Sequence, residues 1–111
     1  MKPINLADKN LTNYKRATLS HRNAQILYLE SDKEIIVTAG SIFELNEKIP
    51  QDLAKRNRDI LLNSGLVEKV SPSLLRTRVD LQFRTKSEAF NTFCGVKTNI
   101  HKSKYCKDTS K

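Results

Sequence analysis

Arg76, Arg78 and Arg84 stand at even positions of the stretch from Leu75 to Arg84, alternating with Leu75, Thr77, Val79, Leu81 and Phe83 at odd ones. On an extended chain, side chains at i and i+2 share a face and lie roughly 6.6 Å apart. That spacing is close to the distance between neighbouring phosphates on a nucleic-acid strand. The chemistry open to such a row is phosphate contact without bond making or breaking, which positions a nucleic acid without reading its sequence. Lys86 lies next to the row, and Lys97, Lys102 and Lys104 follow in the basic C-terminal segment. The plain alternative is a set of charges that keeps one sheet face in water, the default for exposed charged residues.

The row needs a scaffold. Ten residues of unbroken alternation predict one strand over 75–84, with its odd face on a core and its even face in solvent. Thr85-Lys86-Ser87-Glu88 fits a capping box: the Thr85 hydroxyl accepts from the Glu88 N–H, and the Glu88 carboxylate reaches back to the Thr85 N–H. A helix then carries Ala89, Phe90, Phe93 and Cys94 at helical spacing and stops at Gly95.

The chain has 111 residues, enough for one domain with a modest core. It is 38% hydrophobic and 29% charged, with a net charge of +8, which points to an acidic partner such as nucleic acid, an anionic surface or an acidic protein. Residues 1–23 hold five basic residues against one acidic, and residues 94–111 repeat that balance, whereas 24–50 hold two against five. No run approaches the roughly 18 apolar residues of a membrane span, and the N-terminus lacks the apolar centre of a secretory signal. Two cysteines, Cys94 and Cys106, make no disulfide framework, so the expected location is cytoplasmic.

Elsewhere, 25–30 and 34–38 read as two strands joined by the polar turn Ser31-Asp32-Lys33. Residues 50–64 read as a helix with Leu53, Ile60 and Leu61 on one side, opened by Pro50 and ended by Gly65. Residues 1–23 are weakly patterned and read as an arm, with a short helix around Asp8 to Thr18. The expectation is an α+β fold in the order strand, strand, helix, strand, helix. It has a small three-stranded, mainly antiparallel sheet with two helices on one face. The expected boundaries are an arm over 1–23, one domain over 24–106 and a flexible basic tail over 107–111.

Three segments resemble a known family. They are Ile36-Val37-Thr38-Ala39-Gly40-Ser41, then Arg58-Asp59-Ile60-Leu61-Leu62-Asn63-Ser64-Gly65-Leu66, then Phe83-Arg84-Thr85-Lys86-Ser87-Glu88-Ala89-Phe90, followed by Gly95 and Asn99. Their order and spacing over about residues 24 to 106 are similar to the uncharacterised accessory domain found C-terminal to GIY-YIG endonucleases and in restriction–modification proteins. They are also similar to the restriction-enzyme and adenine-methylase associated domain. The resemblance implies a DNA-associated accessory role with no established catalytic residue. Lys86 stands where the family has proline, Asn99-Ile100 where it has Asn-Gly, and Tyr105 or Cys106 near the place of its closing tryptophan. The expectation is a chain that starts at its own Met, with no nuclease domain attached.

No catalytic motif is present. His21 and His101 have no recognisable nucleophile partner, and the three glycines form no phosphate loop. Cys94, His101 and Cys106 lack Cys-x-x-Cys spacing and a fourth ligand, so no metal and no cofactor is expected. Tyr14, Tyr28 and Tyr105 read as core or rim residues, with base stacking as the alternative, and Ser41 as a group that satisfies backbone. The expectation is a non-enzymatic nucleic-acid-binding accessory protein linked to DNA restriction–modification or phage–host conflict, with DNA placed ahead of RNA. The binding residues are Arg76, Arg78, Arg84, Lys86, Lys97, Lys102 and Lys104. The competing reading is a protein-interaction module, a phage or mobile-element factor that binds a host nuclease, toxin or polymerase.

Overall fold

A computed structural model describes residues 1–45, 49, 51–95 and 106–108. The elements are β1 (Lys2–Ile4), a 3-10 turn (Leu6–Asp8), β2 (Lys15–His21), β3 (Ala24–Glu30), β4 (Ile35–Val37), β5 (Ile42–Glu44), α1 (Asp52–Asn63), β6 (Val67–Ser71), β7 (Leu74–Thr77), β8 (Asp80–Phe83), α2 (Lys86–Cys94) and β9 (Cys106–Asp108). All the strands belong to one antiparallel sheet, curled into a half-barrel. The expected three-stranded sheet is therefore wrong: among the described residues the fold is α+β with two helices, but the sheet has nine strands. The error has a physical source. Short strands buried on one face and broken by bends carry too few residues for a period-2 pattern to show.

The pairing resolves into long rails. β9 pairs β2, and β2 pairs β3 over seven residues, from Lys15↔Glu30 to His21↔Ala24. The next rail is β4 followed by β5, and the next is β8 and β7, which form one stretch of chain. Ile35↔Phe83 and Val37↔Leu81 keep the same register as Ile42↔Arg76 and Glu44↔Leu74. Outside that rail β1 pairs β8 and β6 pairs β7. Residues 1–23, expected as an arm, thus supply β1 and the whole of β2. The expected Asp8–Thr18 helix gives way to the 3-10 turn and the start of β2.

The bend has a visible cause. Between Tyr28↔Val37 and Gln25↔Ile42, β3 advances three residues while the facing chain advances five, so two extra residues sit in Thr38–Ser41. Such an insertion bends a strand and increases its twist. Gly40, at φ 93°, takes a backbone conformation that side-chain-bearing residues avoid. Ser41 is fully buried: its Oγ accepts the Leu27 N–H at 2.9 Å and donates to Thr38 O at 2.9 Å. The Thr77 hydroxyl accepts the Ser41 N–H at 3.1 Å. The long expected strand 75–84 breaks at Arg78 and Val79, opposite this bulge. Its alternation survives the break, since Leu75, Thr77, Leu81 and Phe83 are buried while Arg76, Arg78 and Arg84 are exposed.

The core fills the concave face. Phe43, Phe83 and Phe93 stack edge to face at 5.0 and 5.7 Å, and Tyr28 meets Phe90 at 5.4 Å. α2 buries every residue from Glu88 to Cys94. Thr85 caps it as expected, accepting the Glu88 N–H at 3.1 Å, and Gly95 closes it at φ 64°. The other half of the capping box differs. The Glu88 carboxylate turns to Asn57 Nδ2 at 2.9 Å and to the Met1 amino group at 3.4 Å.

α1 also differs from its expected wheel. Its buried face is Ala54, Asn57, Arg58 and Leu61, while Leu53 and Ile60 are 45% and 42% exposed. The Arg58 guanidinium lies 4.8 Å over the Phe43 ring and donates from Nη1 to Glu44 O at 2.9 Å. A guanidinium on an aromatic face is weakly hydrated and packs as a flat group. The buried face of the helix is thus displaced from its apolar residues.

Candidate functional site

The outer, convex face of the sheet carries the arginines. Arg76 reaches across to Glu68, its register partner on β6, with Nε and Nη2 each 3.0 Å from Oε2. Both groups are about half exposed, so the pair contributes little to stability, but it occupies the guanidinium. Arg78 is exposed at the break between β7 and β8, and its N–H donates to Leu66 O at 2.9 Å. Arg84 is exposed just past the end of β8. Eight residues of extended chain separate Arg76 from Arg84, about 26 Å at most. The three arginines share a face without forming one cluster. Lys86, at the start of α2, pairs with Glu30 Oε2 at 2.7 Å. Lys97, Lys102 and Lys104 lie outside the described residues.

A different group of cations does come together. A cleft of about 350 Å³ opens beside the end of β8, lined by Lys2, Lys33, Arg84, Glu34 and Gln82 with Met1 and Phe83. Three elements build it. β1 brings Lys2 opposite Gln82. The β3–β4 turn, closed by Ser31 N–H to Glu34 O at 3.0 Å, presents Lys33. Arg84 follows directly on the Ile35↔Phe83 pair. Only Arg84 of this trio is marked by alternation. Lys2 lies in a segment with no pattern and Lys33 in a turn, and they meet only because β1 crosses to the far edge of the β8 rail.

Glu34 is the acid of this cleft, and it is already engaged. Lys9 Nζ and Tyr14 Oη both donate to Glu34 Oε2, and Gln82 Nε2 donates to Oε1. Burial alone would push the Glu34 carboxyl up. The bonds from Lys9, Tyr14 and Gln82 outweigh it and hold the carboxyl below its usual range. The Lys9 ammonium is held above its own range, chiefly by the bond to Glu34, against some loss of hydration. The connection from β1 to β2 runs from the far edge of the sheet to beyond β3, so it must pass β8 and β4. The Lys9 and Tyr14 bonds pin that crossing over the convex face, above Ile36, which is fully buried on that side.

On the other side of the same turn lies a second cleft of about 500 Å³, lined by Asn10, Asn13, Tyr14, Ser31, Asp32 and Lys33. Lys33 borders both. The second cleft is rich in amide, hydroxyl and carboxylate groups, the first in cations.

Among the described residues no group of three or more His, Cys, Asp or Glu is placed to hold a metal ion. Cys94 is buried on α2, and His101 lies outside the described residues. No described helix is long and apolar enough to cross a membrane. The segments that resemble the accessory-domain family fall at the Thr38–Ser41 bulge, at the end of α1 and at the cap of α2, where the residues bend or terminate backbone. No protein-family model, curated protein or solved structure matches this chain.

Proposed function

We propose that this chain is a non-enzymatic nucleic-acid-binding accessory protein, of the kind that serves DNA restriction–modification or phage–host conflict. The observation that carries the reading is the convergence of Lys2, Lys33 and Arg84 on one cleft whose acid is neutralised by Lys9. Three cations around a concavity, with no unbalanced carboxylate facing them, attract a phosphate more strongly than the same charges scattered on a surface. Arg78 is exposed further along the same rail, beyond Asp80. Arg76 and Lys86 are secondary, because each is paired with a glutamate.

Binding to labelled nucleic acid followed by fluorescence anisotropy tests this. Replacing Lys2, Lys33 and Arg84 together with Ser removes binding while the thermal transition stays in place. Arg76→Ser leaves binding close to wild type. With three phosphate contacts, log K falls against log salt with a slope of about −2 to −3. Failure of wild type to bind any nucleic acid at low salt sinks the reading.

The competing reading, a protein-interaction module, has its own observation. Leu53, Ile60 and Leu62 of α1 are each more than 40% exposed. In that case a charged substitution at Leu53 or Ile60 abolishes capture of the partner, and the three cations are dispensable.

A further inference from the structure

We infer that the two clefts flanking the β3–β4 turn form one bipartite site for a nucleic-acid strand with unpaired bases, phosphate in the first cleft and base in the second. The inference rests on the nucleic-acid reading above and adds the form of the ligand. Lys33 lines both clefts, so they are adjacent. Their chemistry is unlike. Lys2 and Arg84 give the first cleft the cations that a phosphodiester needs. In the second, the Asp32 carboxylate repels phosphate, while Asn13, Asp32 and the amide Nδ2 of Asn10, whose Oδ1 is taken by Thr12, offer the donors and acceptors that match base edges. Volumes of about 350 and 500 Å³ are within the range of small-molecule sites.

Tyr14 supplies the rigid surface. It lines the second cleft, and the bond from its Oη to Glu34, whose carboxylate borders the first cleft, keeps the ring from swinging away. Lys9 Nζ lies 6.0 Å over one face of the ring, so the platform for a stacked base of any identity is the opposite face. A duplex keeps its base faces stacked inside and its edges in grooves, and it meets proteins through phosphates over a broad cationic surface. The convex face here does not offer that surface. Arg76 is taken by Glu68, Asp80 lies on the rail between the arginines, and Leu27 is exposed on β3. Unpaired strands, by contrast, are recognised through splayed bases that stack and bond along their edges.

The test uses the full chain and a labelled mixed-sequence 12-mer, single-stranded or annealed to its complement, at fixed low salt. The single strand binds about ten-fold tighter than the duplex. Asn13→Ala and Tyr14→Leu each weaken single-strand binding, by about five- to ten-fold for the ring, without changing the salt slope. Tyr14→Phe retains most of the affinity. Lys2→Ser with Arg84→Ser weakens single strand and duplex alike and flattens the salt slope. Asn13 is exposed and makes no structural bond, so Asn13→Ala separates the base contact from any loss of fold at Tyr14. Equal or tighter duplex binding overturns the inference. So does indifference to Asn13→Ala and Tyr14→Leu while the cation variants lose binding; the nucleic-acid reading then stands without it. Absence of binding to both forms overturns both.

Discussion

Two glutamates, one on each face of the sheet, hold the N-terminal segment in place by different means. Glu88 lies on the concave side between the helices, 7% exposed, and engages Asn57 and the Met1 amino group. Asn57 also donates to Thr92 Oγ1 at 3.1 Å, and Thr92 donates to Glu88 O at 2.7 Å, so the carboxylate belongs to a closed network. Glu34 lies on the convex side between two open clefts and gathers Lys9, Tyr14 and Gln82. The first joins α1, α2 and Met1, the residue before β1, inside the packing. The second joins a crossing connection to the outside of the sheet and leaves the neighbouring cations unopposed. A buried carboxylate with its partners removed keeps its desolvation penalty; the Glu34 side chain, 16% exposed at the edge of an open cleft, keeps more access to water than that of Glu88 at 8%. The concave face therefore carries stability, and the convex face is free to carry binding.

The largest test of that division is Phe93→Ala. Phe93 is fully buried against Phe43 and Phe83, and the cavity costs about 3–5 kcal/mol, read as a large fall in the chemical-denaturation midpoint. A change of under 1 kcal/mol would show that the concave face is not the packed side. Next comes Glu88→Ala, which leaves Asn57 and the Met1 amino group without their shared acceptor and costs about 2–3 kcal/mol. It exceeds Thr85→Ala, which removes one capping hydroxyl for about 1 kcal/mol. If Thr85→Ala is the more damaging of the two, the Glu88 network contributes little and the carboxylate serves the cap.

The smallest effects belong to Glu34. Glu34→Gln at neutral pH removes a partly exposed ion pair and shifts stability by under about 1 kcal/mol. The pH profile is more telling. The Glu34 carboxyl is held below its ordinary value of 4.5 in the folded state. Its contribution is therefore complete above that value and is lost as pH falls through the lower folded value. The Lys9 ammonium is held above 10.5, so its share is complete below that pH and disappears as pH rises further. Thermal melts of wild type against Glu34→Gln should diverge at neutral pH and converge in acid. A constant difference across the acid range would mean that the carboxylate charge is not what pins Lys9.

Parts of this division are legible in the residues. The in–out pattern of 75–84 survives even though the segment belongs to two strands, because alternation reports which face a side chain takes and is blind to a bend in the rail. The cap at Thr85 and the stop at Gly95 are local geometry, and both are found. The β3–β4 hairpin and its turn are found as well. β2 is not, since Lys15 to His21 alternates small and polar residues around only Ala17 and Leu19 as buried anchors. The face of α1 is misjudged because Arg58 buries its guanidinium on Phe43, a contact between residues fifteen apart that no helical period encodes. The basic cleft is invisible for the same reason: its cations come from three segments with no shared pattern.

The sequence by itself therefore determines the signs and the local geometry: an excess of cations, a strand with an arginine face, a helix capped by Thr85 and ended by Gly95. These follow from period, cap and turn chemistry within a few residues. Only the tertiary structure decides that β1 lies against β8, that the connection to β2 crosses the convex face, and that Glu34 is neutralised there while Lys2, Lys33 and Arg84 surround a cleft. Those choices depend on which strands pair across tens of residues. Burial of the concave core selects that pairing, and nothing local to Lys2 or Lys33 specifies it.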